Sequence, residues 1–323
     1  MPGLIVLLQT LMLAVSGPAT SSEYLPIRVA EAEGYFAREG LDVTVRTTRA
    51  ESGAAEALAQ GQVDLTATTL EALLRFGPRG PGRTPRLVFG LTAAPPFAVL
   101  VAAERTAAVQ SVERLEGLRV GVTTPGAPEL AWFGWLLARA GVSIAQLHLM
   151  SLGGRGLVGA IDSGEIHAAL VPEPMATRLL EEGRATLLAD FRTPAAVAKA
   201  LGVKTVSAAV FVRSDRRPAD ADLAAFARAL LAAQARIRAA GAEELAARLP
   251  SRTVGPRDEF ELRLEAARGS SLSDGLVSAE ELQQTIGIIR AHTPLPATTR
   301  IPRAEEMLHL GPLLNAITAR QAR

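Results

Sequence analysis

The 323 residues carry 34 Lys and Arg against 33 Asp and Glu, a net charge of +1, and only 4% are aromatic. So balanced a chain presents no field for nucleic acid or anionic lipid, and so few aromatic faces argue against a base-stacking platform. It has no cysteine, which excludes disulfides, thiolate metal sites, a cysteine nucleophile and a lipid-modified N-terminal cysteine.

The length allows two core-bearing units. Residues 1–9 read as a signal remnant or a disordered start: the apolar run has no Lys or Arg ahead of it, and Gln9 interrupts it. A strand over 11–15 meets a Ser/Thr/Gly/Pro turn, 16–22, and then a helix over 24–33. Strand 41–47 alternates Leu41, Val43 and Val45. Helix 53–60, strand 63–67 and helix 70–76 follow, then a Pro/Gly-rich loop and two strands, 86–92 and 97–102. Strands alternating with helices imply βαβ units, parallel sheets and ligands at the carboxyl ends of the strands.

The segment LEGLRVGVTTPGAPELAWFGWLLARAG (115–141) condenses that logic. A strand over 119–122 enters a tight turn, 123–128, and Pro128 opens a helix that Gly141 closes. Leu130, Phe133, Gly134 and Leu137 share one face of that helix. Unpaired N–H groups leaving such a turn suit acceptor atoms or negative charge. Next come a strand over 147–151, the turn GGRG, a helix over 157–163 and a strand over 168–171 ending in VPEP. The order of elements echoes the first half and implies two similar α/β lobes. Strand 206–212 is followed by helices at 219–240, 242–249, 259–268, 279–292 and 305–319.

YLPIRVAEAEGYFAREGLDVTV (24–45) resembles the opening of periplasmic solute-binding proteins of the sulfonate/nitrate/taurine type. AAEALAQGQVDLTATT, LEGLRVGVTTPGAPE and LVGAIDSGEIHAALVPEP match the succeeding segments of that family in order and spacing. The resemblance covers residues 10–215 clearly and the helical remainder more loosely. It implies a type II binding-protein fold: two lobes, each a mostly parallel sheet flanked by helices, with a helical C-terminal part. Lobe one would be 10–97 plus 208–323 and lobe two 98–207, with crossings near 96–100 and 205–210. The implied function is capture of a small organic anion (a sulfonate, nitrate or carboxylate) by hinge closure, and its delivery to the permease and ATPase of an ABC importer. No catalytic residue, cofactor, metal, nucleic acid or membrane insertion is implied, and the expected state is a periplasmic monomer.

Turns at strand carboxyl ends supply the candidate ligand residues. From lobe one these are Ser16, Gly17, Pro18, Thr20, Thr68, Thr69 and Thr92, with Tyr24 able to stack on a flat ligand. From lobe two they are Thr124, Pro125, Gly126, Ala127, Pro128, Glu129, Arg155, Glu173 and Pro174. The hydroxyls can donate to an oxyanion or accept from an amine, or they can simply cap helices. Arg155, between glycines, could clamp a carboxylate or sulfonate, or stand in solvent. Glu129 could complement its helix dipole; facing a cleft, it would repel an anion and favour an amine-bearing ring such as a thiamine pyrimidine precursor. His148, His167, His292 and His309 show no metal spacing. The alternatives are an enzyme on the same fold or a ligand-sensing domain. The cysteine-rich iron motif of the related pyrimidine-forming enzymes is impossible here.

Overall fold

The structure, a computed structural model, describes residues 9–48, 50–296 and 300–321. Apart from Gln9, the possible signal remnant lies outside these residues. The strands are β1 (Gln9–Val15), β2 (Leu41–Thr47), β3 (Leu65–Thr69), β4 (Pro85–Gly90) and β5 (Phe97–Ala102), then β6 (Arg119–Val122), β7 (His148–Ser151), β8 (Ala168–Pro172), β9 (Ala185–Asp190) and β10 (Ala208–Arg213). They form two five-stranded sheets, β2-β1-β3-β10-β4 and β7-β6-β8-β5-β9. Each sheet with its helices is one lobe. Interior strands such as β5 (FAVLVA) and β10 (AAVFVR) are buried along their whole length, which is why they read as unbroken apolar runs. The edge strand β2 alternates because one of its faces meets water.

Each sheet has one reversed strand, which alternation of strands and helices does not foretell. In the first, β1 pairs in parallel with β2 and β3, whereas β10 runs antiparallel between β3 and β4. In the second, β6 is parallel to β7 and β8, and β5 runs antiparallel between β8 and β9. The reversed strand is in each case the one that arrives from the other lobe. The chain leaves β4 at its carboxyl end, so β5 begins at that same edge and must run the opposite way; β10 returns by the same rule.

The two crossing segments are bonded to one another. The N–H groups of Leu91 and Thr92 donate to the Ala208 carbonyl at 2.8 and 3.1 Å, and Ser207 N–H donates to the Thr92 carbonyl at 2.8 Å. Ala208 N–H donates to Thr92 Oγ1 at 3.2 Å, and Thr205 Oγ1 donates to the Ala93 carbonyl at 2.7 Å.

The helices show three departures from sequence expectation. The helix after β7 spans Gly153–Asp162 and absorbs GGRG, so Arg155 lies on a helix rather than in a turn. Between β8 and β10 the chain adds helix Met175–Glu181, β9 and helix Pro194–Leu201, a stretch whose short elements carry little periodicity. The helix expected over 305–319 is divided into Ala304–Met307 and Gly311–Gln321, because Gly311 and Pro312 start a new helix rather than extend an old one.

The helices of the C-terminal part make contacts with both sheets' helices. Helix Asp220–Ala239 covers the first sheet, but helix Ala279–His292 lies against Glu129–Arg139 of the second lobe. The approach is close at Gly134, where a Cβ would stand 2.8 Å from His292 Nδ1. Gly141, at φ +73°, ends Glu129–Arg139 in the left-handed turn that its position in the sequence calls for. Trp132 and Phe133 of this helix are fully buried in the core, while Trp135 is half-buried and donates its indole N–H to the Leu201 carbonyl at 3.2 Å.

Candidate ligand cavity between the two sheets

A cavity of about 450 Å³ opens between the lobes at the carboxyl ends of the parallel strands. Pro18, Thr20, Ser21, Ser22 and Glu23 line it from the turn after β1, and Thr69 from the end of β3. The crossing segment contributes Pro95, Pro96 and Phe97, whose ring stacks on Phe191 at 4.5 Å between centroids. The second lobe contributes Thr123, Pro128 and Glu129 after β6, and Pro172, Glu173 and Pro174 after β8. Glu259 and Arg263, from helix Arg257–Ser270, close the wall. The abundance of proline follows from where the residues sit: strand ends turning into helices are sites where a fixed φ costs little.

Of the residues expected from sequence, Pro18, Thr20, Thr69, Pro128, Glu129, Glu173 and Pro174 line this cavity. Several of them have structural work as well. Thr69 Oγ1 accepts from Ala72 N–H and caps helix Leu70–Phe76. Glu173 accepts from Thr177 Oγ1 at 2.8 Å and from Thr177 N–H at 3.2 Å, and its carboxylate lies 3.5 Å from Arg192 Nη1.

The others stand elsewhere. Ser16 Oγ donates to Thr68 Oγ1 at 2.8 Å in a buried pair between β1 and β3. Gly17 is a buried turn residue at φ +71°. Tyr24 is 1% exposed in the first-lobe core, which leaves no ring face for stacking. Thr92 serves the crossing, as described. Thr124, Pro125 and Gly126 are exposed, while Ala127 is buried. Arg155 is exposed on its helix. The sequence offers no signal for Glu259 and Arg263: spaced i,i+4 on a helix, they read as an ordinary surface ion pair.

The helix N-terminus expected to stand open after β6 is partly occupied from within. The Glu129 carboxyl bonds its own backbone N–H, and Thr123 Oγ1 donates to Glu129 Oε1 at 2.8 Å. Burial pushes this carboxyl above its usual range, and those two bonds only partly counter the effect. Across the lobe boundary Glu71 is raised too, by burial first, with the Arg75 guanidinium opposing and the like charge of Glu129 adding to the rise. Arg75 bonds Glu71 at 2.8 Å and reaches the Gly126 carbonyl of the other lobe at 3.2 Å.

Arg263 is the cavity's guanidinium and is 7% exposed. It donates to the carbonyls of Val254 and Pro256, and to Glu259 Oε2 at 2.9 Å. Burial lowers its pKa despite the neighbouring Glu259. Among the described residues its Nε has no hydrogen-bond partner.

With this geometry in place, comparison with known proteins is informative. The profile of the family described as NMT1/THI5 like matches residues 21–240. The chain belongs to that family. Three solved structures share its fold at less than a quarter sequence identity. A Bordetella bronchiseptica RB50 protein is 23% identical, with 97% of this chain and 98% of that one covered at a TM-score of 0.74. The periplasmic sulfonate-binding protein SsuA of Methylobacillus flagellatus KT is 17% identical, covering 97% and 95% at 0.73. The desulfurization enzyme DSZB is 14% identical, covering 97% and 99% at 0.62. No curated protein matches the chain. This NMT1/THI5-like chain therefore has the periplasmic binding-protein fold, and no helix among its described residues is long and apolar enough to cross a membrane.

Proposed function

We propose that this chain is the exported, periplasmic solute-binding component of an ABC importer. It takes a small solute into the cavity between its lobes, closes about the crossing segments, and presents the closed form to a permease and its ATPase. The observation that carries this reading is the cavity itself: turns from both sheets and the crossing segment converge on one space, at the strand ends where α/β sheets bind ligands. Closure needs only that the solute touch both walls, because a ligand shifts a two-state equilibrium by its differential contacts.

The cavity chemistry favours an amine-bearing or neutral ring over a simple oxyanion. Among the described residues, Glu23, Glu129, Glu173 and Glu259 line it with one guanidinium, that of Arg263. The helix N-terminus that would have received an anion already holds the Glu129 carboxyl.

A thermal-shift panel tests the reading. It contains taurine, ethanesulfonate, nitrate, benzoate and a 4-aminopyrimidine. A ligand at a hundred times its dissociation constant adds about 2.7 kcal/mol of stability. The aminopyrimidine is expected to raise the melting temperature, and Glu129→Gln to weaken the shift. A shift with ethanesulfonate or nitrate alone would overturn the ligand class. Recovery of the bound compound unchanged supports a receptor, and a converted product would make the chain an enzyme.

A further inference from the structure

Two arginines reach across the cleft in opposite directions. Arg75 of the first lobe bonds the Gly126 carbonyl of the second at 3.2 Å. At another point on the rim, Arg178 of the second lobe faces Asp258 at 3.6 Å and Glu259 at 3.7 Å on helix Arg257–Ser270. Glu259 is therefore claimed twice. Its Oε2 accepts from Arg263 in the cavity wall at 2.9 Å, while its Oε1 faces Arg178 of the opposite lobe.

Arg263 is held in place by the Val254 and Pro256 carbonyls, independently of Glu259, and keeps its Nε unpartnered among the described residues. A solute acceptor that takes Arg263 Nη1 would compete with Glu259 Oε2, while the bonds to the two carbonyls keep the arginine in place. Resting on the receptor reading above, we propose that Glu259 is the positioning residue that couples occupancy to closure. A solute that takes Arg263 releases the Glu259 carboxylate to Arg178, and the clasp between the lobes tightens. With the solute gone, Arg263 reclaims Glu259 and the clasp loosens. Arg178 and Glu259 are both partly exposed, so their attraction is modest and screened by salt, as a reversible clasp requires.

The test needs no solute. The native chain lacks cysteine, so Glu56→Cys and Glu165→Cys supply the only thiols, one exposed on each lobe, for a fluorescence pair that reports lobe separation. Arg178→Ala is expected to lower the ratio of closed to open molecules about two- to fivefold, the range of an exposed ion pair. Roughly 1 M salt, with a Debye length near 3 Å, should have the same effect, and Arg178→Lys should restore most of the closed population. Arg263→Gln should raise the closed fraction, and that gain should vanish when Glu259→Gln is also present. If Arg263→Gln does not fold, Arg263→Lys at matched stability carries the comparison, with a smaller gain expected.

An unchanged ratio in Arg178→Ala overturns the clasp. A gain from Arg263→Gln that persists without Glu259 overturns the coupling. Because lobe separation is read without ligand, failure here leaves the solute panel standing, and failure of the panel leaves the clasp standing.

Discussion

Glu129 shows how one side chain redirects the chemistry of a turn. The backbone after β6 has the form of an anion site, yet the first helical residue brings its own carboxyl to its own backbone N–H, beside the positive end of the helix dipole. Its burial, and that of Glu71 facing it from the other lobe, raises both carboxyls in the folded state. The folded protein therefore holds these protons more tightly than the unfolded chain, whose glutamates titrate near 4.3. Their contribution to stability is full below about pH 4.3 and is lost as pH rises through the raised folded values. Glu129→Gln should accordingly gain stability relative to the parent as pH rises from 4 to 8, measured by urea unfolding at each pH. A difference that does not vary with pH would mean that Glu129 is solvated. Glu129 was legible in the sequence, because a carboxylate in the first helical turn announces itself. Arg263 was not: nothing in its own neighbourhood distinguishes a guanidinium that walls a cavity from one that faces water.

Among elements, the legible ones have strong local patterns. β5 and helix Leu70–Phe76 follow from a bounded apolar run and from a Thr cap respectively. Helix Ala279–His292 begins at Ser278, whose side chain accepts from Glu281 N–H while Glu281 bonds back, a reciprocal cap visible as S-x-x-E. What that helix packs on was not visible. Its contact with Glu129–Arg139 depends on Gly134, where the side chain of His292 occupies the space of a Cβ. Gly134→Leu should therefore overfill the contact and cost about 1–3 kcal/mol in chemical denaturation. A neutral outcome would show that this helix is not seated at Gly134. The short elements between β8 and β10 were illegible for a different reason. Met175–Glu181 spans two turns, too few for a 3.6-residue period to separate from chance.

The molecule as a whole is two sheets whose cores are not separate. One buried cluster runs from Leu58, Leu70 and Leu87 in the first lobe to Val99, Trp132 and Leu170 in the second, and includes Ile286 and Ile289 of the C-terminal helix that leans across. Burial is shared on that side, whereas the lobes meet across the cleft through the charged and polar contacts of Arg75 with Gly126 and of Arg178 with Glu259. Calorimetry should accordingly show a single cooperative transition, with calorimetric and van't Hoff enthalpies in agreement. Two resolved transitions would mean that the lobes fold independently. By itself the sequence determined the kinds of element, nearly all of their order, the loops gathered at strand ends and the family resemblance, because each of these is written in residues near one another in the chain. Only the tertiary structure decided which strand of each sheet runs backwards, which hydroxyls line the cavity and which are taken up between strands or at the crossing, and that Glu259 stands between two arginines. Those outcomes depend on where distant segments meet, and local periodicity carries no record of such a meeting.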